Sequence, residues 1–294
     1  MKTVSNNVYA FSKDNPPELT VPSGSVVKFV TKDCFANQIT SENCKNALAS
    51  FNWNTVNPAT GPLAIEGAEP GDALRVEIQK IDLTGESAVL MTGKGLGICQ
   101  KDFESLEARV VRVRQGFVEF SDKIKLPVRP MIGVIGVAPA GEAVNNGTPD
   151  EHGGNMDCKE IVQGAAVYLP VNVKGALLAM GDIHAVMADG ESGGTGAEMP
   201  AEVTVKVDVL KNFPLPTPLI ENDNCYMAVH SAKTADEAIQ HAVFKAVRLV
   251  MEKIPGTSRY DAVTLVSLAA DLRICQVVDP LITVRCELPK KLFE

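Results

Sequence analysis

The sequence predicts a mainly β protein of the α+β class, with a β-sandwich or barrel-like N-terminal part and an α/β C-terminal portion carrying two helices. Three observations predict it. Val203, Val205, Val207 and Val209 alternate with Thr204, Lys206, Asp208 and Leu210, the period-two pattern of a half-buried strand. Short apolar runs punctuated by Gly, Pro, Asn and Asp recur along the first two thirds of the chain, as they do in sandwiches and barrels. Beyond residue 211 the apolar period changes to that of a helix, from Ala238 to Ile254. The expected organisation is a β-rich portion, 1–210, that carries the site, and an α/β portion, 211–294, packed on it.

The N-terminal 30 residues read as short strands between the turns at Pro16-Pro17 and Pro22-Ser23-Gly24, and the run Val26 to Val30 ends at Asp33. Residues 35–64 are polar and irregular, and a loop of that length is expected to be functional or packed as a lid. Trp53, the only tryptophan, is expected to pack beneath it. Leu74, Val76 and Ile78 alternate with Arg75, Glu77 and Gln79, which gives another strand. Thr92-Gly93-Lys94-Gly95-Leu96-Gly97 lacks the spacing of a phosphate loop and has no helix after it, so it reads as a bend where a side chain would clash. Residues 109–120 form a hairpin about Gln115-Gly116. Met131 to Ala138 is almost continuously apolar, which predicts a central strand covered on both faces, its glycines marking close backbone approach. Thr234 caps a helix with early acids Asp236 and Glu237, closed by Gly256, and Ser258 with Asp261 opens a second one through about Ala270. Residues 275–278 and 283–288 read as closing strands.

Composition narrows the function classes. Lys and Arg number 28 against 36 Asp and Glu, and the net charge of −8 leaves no basic footprint for nucleic acid. No apolar run reaches the ~20 residues of a membrane-spanning helix, and the first residues lack the apolar core of a secretory signal. The seven cysteines never form C-x-x-C, so reduced thiols in a cytoplasmic protein are expected. Several edge strands make a homodimer the expected assembly.

The densest chemistry lies in Gly181-Asp182-Ile183-His184 followed by Asp189-Gly190-Glu191. Residues i and i+2 of a strand share a face, so Asp182 and His184 can aim at one point, where a metal or a polarised water would be held. Glu151-His152-Gly153-Gly154-Asn155-Met156-Asp157 forms a second Gly-flanked polar stretch. Both stretches read equally as polar turns.

Six motifs in order resemble the acetamidase/formamidase family. They are Asn57-Pro58-Ala59-Thr60-Gly61-Pro62, Thr92 to Gly97, Ile132 to Pro139, His152 to Asp157, Gly181 to Ala185 and Asp189-Gly190-Glu191. The resemblance spans essentially the whole chain. It implies a mainly β architecture with an α/β C-terminal portion. It also implies hydrolysis of small amides such as formamide and acetamide to carboxylate and ammonia, with lactams as an alternative substrate.

Amide hydrolysis needs an activated nucleophile, a stabiliser for the oxyanion and an acid for the leaving nitrogen. Gly190-Glu191-Ser192-Gly193-Gly194 carries the letters of G-x-S-x-G, but a glycine-rich stretch and a strand follow it rather than the helix of a nucleophile elbow. The expectation is therefore a divalent metal held by Asp33, Asp157, Asp182 and His184. Zn²⁺ suits the mixed O/N donors best, and Mn²⁺ or Ca²⁺ remain open. Glu191 is the expected general base, with His152 as a second catalytic group or further ligand. Amides of Gly153-Gly154 or Gly193 to Gly196 are candidate oxyanion donors. Two rival readings stand beside this one: Cys158 as a thiol nucleophile near His152, and a non-catalytic protein with a structural Ca²⁺.

Overall fold

The computed structural model describes residues 1–294 except 42, 45, 46 and 50. The chain is mainly β, with two sheets face to face and two α-helices on the outside of one of them. The first sheet has nine strands. From one edge they run Lys2–Val4, Ser25–Thr31, Ala201–Leu210, Ala73–Leu83, Ala166–Pro170, Leu219–Glu221, Cys225–Ala232, Ile282–Pro289 and Asp271–Gln276. The second sheet has a path of eight: Lys125–Pro127, Phe117–Glu119, Leu106–Arg114, Ser87–Gly93, Glu198–Met199, Leu178–His184, Met131–Gly136 and Gly153–Asn155. Ala59–Ile65 also pairs with Leu178–His184.

The alternation read in the sequence decides which faces meet. Val203, Val205 and Val207 are buried together with Val27, Phe29, Leu74, Val76 and Ile78 from the first sheet. Leu63, Ile132, Ile135, Leu178, Met180 and Ile183 of the second sheet close on them in the same apolar cluster. Ala166–Pro170 pairs directly with Leu219–Glu221, so the first sheet runs on from residues 1–210 into the C-terminal portion.

Helix α1, Ala235–Lys253, begins where Thr234 accepts a hydrogen bond from the Glu237 amide, and α2, Arg259–Ala269, where Ser258 accepts from the Asp261 amide. Ala238, Ala242, Ala246 and Val250 of α1 pack on Ala228, Val284, Cys286 and Leu288 of the sheet. Among the described residues, no helix is long and apolar enough to cross a membrane.

Three local expectations change. The irregular stretch ends earlier than its composition suggested, because Ala59–Ile65 is a strand buried at every position. Its Thr-Gly-Pro reads as a loop, yet Thr60 satisfies its hydroxyl by donating to the Val30 carbonyl at 3.1 Å, and Gly61 has no Cβ where one would meet the Leu178 carbonyl at 2.8 Å. Trp53 is 54% exposed and meets Phe51 edge to face, so it lies on the loop rather than beneath it. The closing strand read at 275–278 lies at Asp271–Gln276 instead. The 106–119 hairpin turns at Gln115 and Gly116, both with positive φ, as a two-residue turn of this twist requires.

Candidate active site

The site is built on Leu178–His184 and the strands beside it. His184 lies opposite Met131 on one side and Glu198 on the other. Cross-strand neighbours stand about 5 Å apart at Cβ, which is why Glu198 Oε1 comes within 3.2 Å of His184 Nε2. Two residues earlier, Asp182 places Oδ1 3.4 Å from the same nitrogen. Asp157, which follows Gly153–Asn155, brings Oδ1 to 3.7 Å. Three carboxylates thus converge on one imidazole nitrogen. Donor atoms of Asp157, His184 and Glu191 lie within 4.8 Å of one another, as do those of Cys34, Asp182 and Glu198. All six residues are buried.

The backbone is bent to achieve this. Asp157, Asp182 and Glu191 have φ of 42°, 56° and 46°, in the left-handed region that costs a non-glycine residue roughly 1–3 kcal/mol. The ladder between Met131–Gly136 and Leu178–His184 pairs Ile132 with Ile183 and Val134 with Gly181 but skips Asp182. Two glycines clear the space. A Cβ on Gly133 would stand 2.6 Å from Asp182 Oδ2 and closer still to Asp157 Oδ1, and one on Gly196 would stand 2.6 Å from His184 Cγ. The 92–97 bend has a related use, since a Cβ at Gly97 would meet the Gly193 carbonyl at 2.5 Å, so the bend braces the loop after Glu191.

The electrostatics follow from burial. Burial and then the Asp182 charge push the Asp157 carboxyl up to about 7. Burial, with Asp157 next, holds Glu191 well above the usual carboxylate range, and burial with Asp182 does the same to Glu198. Burial works against a charge on His184, but Asp182 and Asp157 outweigh it and raise the imidazole pKa. Burial likewise opposes the Asp182 charge, and His184 overrides it and holds that carboxyl low. Among the described residues no Lys or Arg forms an ion pair with Asp157, Asp182, Glu191 or Glu198. Both oxygens of Asp157, Asp182 Oδ1, Glu198 Oε2 and both ring nitrogens of His184 are buried without a hydrogen-bond partner in the protein. Unpaired buried acceptors crowded around one imidazole fit a divalent cation, which would satisfy several of them at once.

The sequence-predicted residues divide. Asp157, Asp182, His184 and Glu191 come together. Asp33 is buried nearby but belongs to neither group of donor atoms. Its Oδ1 accepts from the Phe35 and Asn37 amides and shapes the turn. Burial lifts its pKa to about 6 against those two bonds. Its neighbour Cys34 is the residue that reaches Asp182 and Glu198. His152 stays with Phe11, ring edge to face at 5.0 Å. Its neighbour Gly153 pairs with Gly136, three residues from Gly133 and so about 10 Å along the strand. Cys158 is wholly enclosed in the core beside Cys275, which leaves no route for a substrate to its sulfur. Asp189 grips Arg285 through two bonds of 2.6 and 2.9 Å and Lys159 at 2.9 Å, and so ties this loop to the C-terminal strands.

Three members were missed. Glu198 would face solvent if the 201–210 alternation ran back through it, but the chain changes sheets at Pro200. Cys34 looked like one more apolar thiol. Asp279 comes from a turn held by Gln276, whose Oε1 accepts from the Val278 and Asp279 amides. Its Oδ2 accepts from Asn155 Nδ2 at 2.9 Å, and it lies against Asp157. No spacing signal in the sequence links it to the site.

His152 gives a pH prediction. Burial lowers its pKa from 6.5 to about 4. A histidine depressed in the fold contributes stability present above its unfolded pKa, and that contribution is lost as pH falls from 6.5 towards 4. Between pH 7 and pH 4 the wild type should lose about 3 kcal/mol more stability than His152→Phe. Urea unfolding of both at the two pH values measures it, and equal losses would contradict the shift.

A cavity of about 600 Å³ opens against Glu191 and Gly196. A β-sandwich that places a buried, cation-fitting cluster of carboxylates and an imidazole at the wall of such a cavity has the build of a mainly β enzyme. The chain belongs to the acetamidase/formamidase family, whose sequence profile matches residues 3–148 and 140–294. An acetamidase from Bacillus halodurans is similar at 43% identity with a TM-score of 0.95, over 99% of this chain and 98% of that one. A predicted acetamidase/formamidase from the thermophile Thermoanaerobacter tengcongensis is similar at 44% identity and a TM-score of 0.95, over 99% and 96%. An acetamidase from Mycolicibacterium smegmatis is 26% identical over 261 residues, 67% of this chain and 64% of its own. The chain spans less than two thirds of the length of the curated relatives it matches.

Proposed function

We propose that this chain hydrolyses the C–N bond of small linear amides, formamide and acetamide among them, to carboxylate and ammonia with the help of a divalent cation. The observation that carries the reading is the convergence of Asp157, Asp182 and Glu198 on His184 Nε2, with buried acceptors unpaired and Glu191 beside them lining a cavity. These residues would hold the cation, with Cys34 beside them, and the mixed O, N and S donors suit zinc. Such a cation, when bound, supplies positive charge that polarises a carbonyl and acidifies a water.

The chain's own groups supply the rest. Glu191 lines the cavity and sits with Asp157 and His184. A carboxylate whose pKa is raised by burial is a stronger base, so Glu191 takes the proton from the attacking water and delivers it to the leaving nitrogen. The Gly194 amide is already given to the Glu191 carbonyl, and that of Gly153 to the Asp150 carbonyl. The N–H groups of Gly193 and Thr195, which line the cavity, are the oxyanion donors in this reading. The same wall position favours a hydrolase over a protein with a purely structural cation. The reading includes a cytoplasmic homodimer, supported by the edge strand Asp271–Gln276, whose Leu272 and Ile274 are 46% and 40% exposed. A sedimentation mass of a single 31.4 kDa chain would speak against the dimer.

Ammonia release from formamide and acetamide tests the activity. Zinc-loaded protein is expected to turn both over, and protein stripped by chelation to lose at least roughly 100-fold, restored by adding the metal back. Stripped protein shown to be metal-free by elemental analysis, yet fully active, would overturn the metal-assisted reading.

A further inference from the structure

The cavity beside Glu191 is far larger than the amides in that reading. Its volume of about 600 Å³ lies in the range of sites for drug-sized ligands, whereas acetamide has only four heavy atoms. Glu191, Ser192, Thr195 and Gly196 line one part of it, and of these Glu191 and Gly196 also touch the carboxylate–imidazole cluster. Its sides are Leu90, Val118, Phe120, Leu126, Val186 and Ala188, contributed by two strands, the hairpin beyond them and the segment that follows His184.

Two of the charged side chains around it are held in place. Arg109 donates to the Phe120 carbonyl and lies 4.6 Å over the Phe120 ring, which holds that ring as a wall. Asp189 is occupied by Arg285 and Lys159. Glu107, exposed at the rim, carries a negative charge that disfavours anions. The chamber therefore offers mainly apolar surface next to the cluster, and Arg109, the one Lys or Arg in its lining among the described residues, is set against the Phe120 ring.

We propose that the preferred substrates are primary amides with an extended apolar acyl group, a chain of roughly four to eight carbons or an aryl ring, lodged in this chamber. The inference rests on the amide hydrolase reading above. The reaction is unchanged. The C–N bond breaks and the water oxygen bonds to the acyl carbon. The nitrogen takes up the proton and leaves as ammonia.

The test is kcat/KM by ammonia release for the series formamide, acetamide, butanamide, hexanamide and benzamide, with zinc-loaded protein. Each methylene that enters apolar surface should raise kcat/KM about fourfold until the chamber is filled. Leu126→Asp, which places a charge in the wall, and Ala188→Trp, which fills the space, should each lower the hexanamide-to-acetamide ratio by at least roughly tenfold. Both positions are exposed at the cavity mouth, and thermal unfolding verifies that each variant is folded. Turnover of formamide and acetamide with kcat/KM falling steadily for longer chains, or a ratio that neither variant moves, would overturn this inference and leave the hydrolase reading standing. No ammonia from any amide would overturn both.

Discussion

Glu191→Gln is expected to lower kcat for acetamide by roughly 10²–10⁴-fold, the range a general base supplies. The amide side chain keeps the size of the carboxylate but cannot take a proton. The groups proposed to hold the cation, Asp157, Asp182, Glu198 and His184, are untouched, so bound zinc per chain should stay near the wild-type value. Steady-state kinetics together with elemental analysis separate the two effects. Retained kcat would remove Glu191 from the proton transfer, and joint loss of metal and activity would make it a ligand instead.

Gly133→Ala should disable the site without adding or removing any functional group. Gly133 lies in a strand that is buried at every position, and its missing Cβ is the space into which Asp157 and Asp182 reach. A methyl placed 2.6 Å from Asp182 Oδ2 cannot be accommodated, because the neighbours are two carboxylates already converging on His184. They must swing away or the strands must part. The expected result is a loss of roughly 100-fold or more in both zinc affinity and kcat/KM, since displacements of about 1 Å at such centres cost that much. Thermal unfolding should still show one cooperative transition, lowered by the few kcal/mol typical of overpacking. Zinc titration of the refolded variant measures the affinity. Wild-type affinity would mean that the two carboxylates do not act together.

These two residues also show how far the sequence could be read. Met131 to Ala138 announced a covered strand through its apolar run, and its glycines announced close approach. That holds for Gly136, where a Cβ would meet the Gly154 amide at 2.8 Å and the His152 carbonyl at 2.9 Å. At Gly133 the Asp182 carbonyl would stand 2.9 Å from a Cβ, but the Asp157 and Asp182 carboxylates come nearer still, which glycine alone cannot signal. Asp182 and His184 were readable as a pair because a strand's period places them on one face. The left-handed backbone at Asp182 was not, because that conformation is imposed by neighbouring strands. Glu198 was hidden by the sheet change at Pro200, and Asp279 by its distance along the chain. The helix caps at Thr234 and Ser258 were fully local, and such bonds are where sequence reading is strongest. Asp33 marks the opposite limit: an acid at a strand end looks the same whether it faces a cation or caps its own turn, and here its Oδ1 does the latter.

The central claim is that groups from separate stretches of the chain hold one cation at the cavity wall. Anomalous diffraction at the zinc edge from crystals of the zinc-loaded protein tests it most directly. A peak within about 2.0–2.3 Å of His184 Nε2 and of carboxylate oxygens from Asp157, Asp182 or Glu198, with one position open towards Glu191, is the predicted result. A stoichiometric peak elsewhere in the molecule, with those carboxylates left unligated, would contradict it.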